Sequence, residues 1–180
     1  MRWNLALSVV CLAAGTCLAG PLQAQGVGMY LAPQDQVIAV KAAQMFDSRT
    51  GALVATSLMA SNWLAGSDYH VGISGQYSTR TVMQLCQEAD CVISIGASMN
   101  RYTMMGGYLF PEAKFVHINT KPHVVMATGR SAECYVQADA RLGLEALEAA
   151  LARRSVKITG YHTPEVKDKL SRAYVDETPF

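Results

Sequence analysis

The chain has 180 residues, 51% of them apolar and 16% charged, with a formal net charge of +1. That length suits one domain with a single sizeable core, and the composition excludes a disordered tail. There is no run of Lys or Arg and no interleaving of aromatic with basic residues, which argues against nucleic acid as a partner.

Residues 1–20 read as an apolar leader. Arg2, the apolar stretch Leu5–Ala19 and the box Leu22-Gln23-Ala24 have the layout of a secretory signal. The stretch is too short for a comfortable membrane span. A competing reading is a helix followed by the first strand of the domain, with Gly26-Val27-Gly28 as the turn after it. Cleavage after Ala24 would then delete that strand and leave the sheet with a raw edge. A retained start places the protein in the cytoplasm, whereas a signal peptide over residues 1–24 would export it.

Downstream, helical and strand-like segments alternate. Val37–Phe46 carries apolar residues at helical spacing (Val37, Val40, Ala43), and Ala52–Leu58 reads as a strand. Tyr69–Ile73 is a second strand ending at Gly75, and Ser78 is placed to cap a helix through Glu88. Two short apolar runs follow, Cys91–Ile95 and Lys114–Ile118, separated by Gly106-Gly107 and Pro111. Continuous runs of this kind suit strands buried on both faces of a parallel sheet. Val124–Arg130 reads as helix and Glu133–Gln137 as a last strand. Asp139 then caps the clearest helix, Ala140–Arg154, whose stripe is Leu144, Leu147 and Leu151. Its Glu145 and Glu148 lie early and Arg153 and Arg154 late, as the helix dipole favours. This alternation predicts an α/β fold with a doubly wound, mainly parallel sheet. Residues 155–180 are polar and read as a linker leaving the domain, with a modest helix signal over Pro164–Tyr174.

Open α/β sheets bind ligands beyond the carboxyl ends of their strands. Gly96-Ala97-Ser98 and Asn119-Thr120-Lys121 therefore fall on one rim, as a candidate site or as ordinary strand-end turns. The five cysteines, at 11, 17, 86, 91 and 134, include no CxxC and no metal spacing, and read as buried reduced thiols. His70, His117 and His123 lack HxxxH spacing, and mid-strand His117 reads as a core histidine. Ser74 misses a GxSxG elbow by one position. Met99, Met104, Met105, Tyr102 and Tyr108 suit lid or subunit packing, or the wall of a flavin or partner surface.

Six phrases in order resemble the central domain of thiamine-diphosphate-dependent enzymes of the acetolactate synthase and benzoylformate decarboxylase type. They are Gln25-Gly26-Val27, Gly51–Leu58, His70–Gly75, Ala89–Ser98, Ala113–Asn119 and Gln137-Ala138-Asp139-Ala140, collinear from about Pro21 to Leu151. The resemblance implies a Rossmann-like sheet of six parallel strands with helices on both faces, over residues 21–154. In such enzymes two flanking domains bind thiamine diphosphate and magnesium, one through an activating glutamate and the other through a GDG…N segment. Neither motif occurs in this sequence. The resemblance therefore implies a central, noncatalytic domain, a truncated or split product whose partners are the remaining domains or subunits. The alternative is a free-standing ADP- or FAD-binding module, because some members hold such a nucleotide at the carboxyl rim. The matching positions are Gly26, Gly28, Gly96, Ala97, Ser98, Asn119 and Asp139. Two of them depart from the nucleotide-binding pattern: Ser98 replaces an arginine and Asn119 an acid.

Overall fold

A computed structural model describes residues 8–12, 48–61, 64, 66–121, 130–154 and 160–176. Its strands are β1 (Ser8–Leu12), β2 (Val54–Thr56), β3 (His70–Ile73), β4 (Cys91–Ile95), β5 (Lys114–Asn119) and β6 (Cys134–Gln137). All pairings are parallel. β2 pairs with β3, and β4, β5 and β6 form a second ladder; β1 lies between the two groups. The resulting order is β3-β2-β1-β4-β5-β6, which reverses direction at β1. The expected α/β class and parallel pairing are thus present.

Side chains in a strand alternate between faces, and the core divides accordingly. On one face lie Leu53, Ala55, Val71, Val92 and Phe115. They are covered by Val82, Leu85 and Cys86 of α1 (Arg80–Gln87) and by Leu170 of α3 (Pro164–Asp176). On the other face Val54, Ile93, Ile95 and Ile118 pack with Leu144 of α2 (Ala140–Arg153), and Leu147 and Leu151 are partly buried there. The apolar stripe expected on α2 therefore faces the sheet. Gly143 permits this approach, because a Cβ there would collide with Cγ2 of Ile118.

Helix starts follow local hydrogen bonding. Asp139 caps α2 as expected, its Oδ1 accepting from the Arg141 and Leu142 amides at 2.9 and 3.5 Å. Thr79, rather than Ser78, caps α1, its Oγ1 accepting from the Val82 amide at 3.3 Å. The Ser78 hydroxyl instead donates to the Ile73 carbonyl at 2.9 Å, tying the helix start to the end of β3.

Three regions differ from the sequence reading. Ser8–Leu12, inside the stretch read either as a leader or as a helix followed by the first strand, forms the strand between β2 and β4. The segment read as a departing linker folds back instead. α3 buries Leu170 and Ala173, and the turn before it is pinned by a 2.8 Å bond from the Tyr161 amide to the Gly51 carbonyl. His162 stacks on Tyr69 with ring centroids 3.8 Å apart, and Lys167 pairs with Asp68 at 2.6 Å. Finally, Cys134 is exposed rather than buried, because β6 is an edge strand; Cys86 is buried and Cys91 partly so. The helices read at Val37–Phe46 and over most of Val124–Arg130, together with His123, fall outside the described residues.

Candidate functional site at the carboxyl rim

The carboxyl ends of β2, β3 and β4 surround a cleft of about 380 Å³. Its floor is Ser57 after β2, Ser74 after β3, and Ser98, Asn100 and Thr103 in the loop after β4. Leu58, Met59, Tyr77 and Tyr102 stand at its mouth and are exposed. No charged side chain lines it among the described residues.

The loop after β4 is held from two sides. The Ser74 hydroxyl donates to the Thr103 carbonyl at 3.1 Å, and the Gln76 amide to the Tyr102 carbonyl at 2.9 Å. Asn100 organises the turn from within. Its Oδ1 accepts from the Tyr102 and Thr103 amides at 2.9 and 3.0 Å, and its Nδ2 donates to the Ser98 hydroxyl at 2.8 Å. Within this floor the buried Ser57 hydroxyl has no hydrogen-bond partner among the described residues. An orphaned buried hydroxyl costs about 1–3 kcal/mol.

Below the rim, buried polar groups support the same loop. His117 Nε2 lies 3.1 Å from the Ala97 carbonyl and 3.5 Å from Asn119 Nδ2. The Ser94 hydroxyl donates to the same carbonyl at 3.2 Å. His117 is 1% exposed, which agrees with its reading as a core histidine.

Of the rim positions singled out from sequence, the structure brings Gly96, Ala97, Ser98 and Asn119 to adjacent strand ends. Each has work within the fold. The Gly96 amide donates to the Ile118 carbonyl at 2.8 Å, and Ala97 is fully buried. Ser98 accepts from Asn100, and Asn119 Oδ1 accepts from the Lys121 amide at 3.2 Å. Asp139 is spent on capping α2. Only Ser98 of this set lines the cleft; Gly26 and Gly28 lie outside the described residues. Sequence reasoning missed Ser57, which lies within the phrase Gly51–Leu58, and Asn100 and Thr103, which no motif marks. The methionines and tyrosines also divide. Met99 and Met104 belong to the core, while Tyr102, Met105 and Tyr108 are exposed.

His70, at the start of β3, carries the clearest titration. Its Nε2 lies 3.4 Å from Thr56 Oγ1, whose own proton goes to the Gly72 carbonyl at 3.3 Å. Burial pushes the imidazole below its ordinary value of 6.5. The unfolded chain therefore binds a proton more readily than the folded one. Stability is expected to be full above about pH 6.5 and to fall as the pH drops from there towards the lower folded value. Melting curves between pH 8 and 5 should show the decline, and His70→Gln should flatten it. An unchanged slope in that variant would assign the decline to other groups.

A model of the family described as thiamine pyrophosphate enzyme, central domain, matches residues 34–147. No curated protein matches the chain. The matched span runs from before β2 through most of α2 and includes the whole described cleft. It covers well over half of the sequence, and the chain belongs to the family of thiamine pyrophosphate enzyme central domains.

Proposed function

We propose that this chain is the noncatalytic central domain of an acetolactate synthase-like enzyme, acting as a scaffold for domains that bind the cofactor. The family match over residues 34–147 carries this reading. Enzymes of the family work with thiamine diphosphate, but the residues of this chain do not fit that cofactor. The GDG…N segment is absent from the sequence, and the Asp139 carboxylate is engaged in capping α2. Among the described residues no three His, Cys, Asp or Glu side chains gather to hold a magnesium ion. A nucleotide diphosphate fits the described rim no better. The Gly96 amide is already bonded, and among the described residues no cation lines the cleft. Among the described residues no helix is long and apolar enough to cross a membrane. The partners this reading invokes are the remaining domains or subunits of such an enzyme.

The purified chain, given thiamine diphosphate, magnesium and pyruvate, is expected to release no carbon dioxide above the protein-free control. Turnover would overturn the scaffold reading. Its origin as a truncated or split product is tested separately, by sequencing the DNA on both sides of the reading frame. A glutamate-bearing domain upstream and a GDG…N segment downstream are expected. Unrelated genes on both sides would remove the truncated-product reading.

A further inference from the structure

We propose that the signal-like amino terminus is retained in the folded protein as β1, so that cleavage after Ala24 and folding of this domain are alternative fates of the same residues. The apolar stretch Leu5–Ala19 contains the whole of Ser8–Leu12. In the fold these five residues are paired on both sides. Val10 and Cys11 stand opposite Val54 and Ala55 of β2, and Ser8 through Leu12 run in register with Cys91 through Ile95 of β4. Among the described residues, β2 and β4 are joined in the hydrogen-bonded sheet through this strand.

Removing it would not trim an edge; it would open a slot through the middle of the sheet. Each side of that slot would carry a row of unpaired amides and carbonyls. Natural outer edges are shielded by charge or short length, but this one lies between Val54, Ala55, Ile93 and Ile95, all buried. The β2–β3 pair and the β4–β5–β6 ladder would then have no backbone connection across the sheet. A secretory signal must stay unfolded and accessible until it is cut, whereas β1 is useful only when held between two strands. One segment cannot do both in the same molecule.

The test uses the full chain, Met1–Phe180, produced in a bacterium with an intact secretory pathway. The folded, soluble protein is expected to have an intact mass that includes residues 3–24 and to melt in one cooperative transition. A cooperatively melting protein that begins at Gln25 would overturn the proposal. Two variants separate the strand from the signal. Arg2→Glu removes the positive charge that a signal needs and leaves the pairing of β1 intact, so retention of residues 3–24, location and melting should not change. A shift of location in that variant would count against retention. Val10→Pro places a residue without an amide hydrogen in a central strand, and the cooperative transition should be lost. Melting like that of the parent would show that the strand is dispensable and would overturn the proposal.

Discussion

Gly75→Ala is expected to destabilise the domain by about 3–5 kcal/mol, combining backbone strain with a steric clash. Gly75 has φ +101°, a region that residues with a side chain rarely adopt. A Cβ there would also collide with the Tyr102 carbonyl oxygen and lie 2.7 Å from the Thr103 carbonyl carbon. These are backbone atoms, and the loop that carries them is held by Ser74, Gln76 and Asn100, so it cannot move aside cheaply. Gly72 supplies the control. Its φ is +83°, but a Cβ there would meet nothing within 4 Å. Gly72→Ala should therefore show strain alone, about 1–3 kcal/mol. Urea unfolding of both variants measures the difference. Equal losses would mean that the loop after β4 yields, and that the close approach at Gly75 has little energetic weight.

Phe115→Ala is the second large effect, expected at about 3–5 kcal/mol for loss of a fully buried ring. Phe115 is 1% exposed and meets Phe110 edge to face, with centroids 6.2 Å apart. The Arg130 guanidinium lies 5.0 Å from its ring centre. That guanidinium also donates to the Phe110, Pro111 and Ala113 carbonyls, at 3.2, 2.8 and 2.8 Å. Removing the ring therefore opens a cavity and takes away one wall of a cation bound to three carbonyls. Phe115→Leu keeps most of the volume and should cost less than about 2 kcal/mol. Chemical denaturation distinguishes the two variants. Similar losses would assign the effect to the aromatic contacts rather than to the cavity.

The middle of the fold was the most legible part of the sequence. β4 was read at its observed bounds and β5 to within one residue, because strands buried on both faces leave uninterrupted apolar runs. β2 proved shorter than the apolar run Ala52–Leu58, since apolar character records burial rather than ladder pairing. Burial at β6 was misread because nothing in Cys134–Gln137 distinguishes an edge strand from an inner one. The return of α3 was missed for a similar reason. Its buried face is narrow, with Leu170 and Ala173 among charged neighbours, and the helix packs against α1, far away in sequence. Positions on the rim could be named, but not their engagements. That Gly96 bonds across to Ile118 is a fact of tertiary adjacency, and so is the meeting of Ser57, Ser74 and Ser98 around one cleft.

The position of β1 also orders events during synthesis. β1 is made long before the second of the two strands it pairs with, since β4 ends only at Ile95. At roughly 5–20 residues per second, the nascent apolar strand waits several seconds before its second neighbour exists. Such non-local pairing is intrinsically slow to form. During that interval whatever recognises nascent apolar segments, whether a chaperone or the export machinery, competes with the sheet for the same five residues.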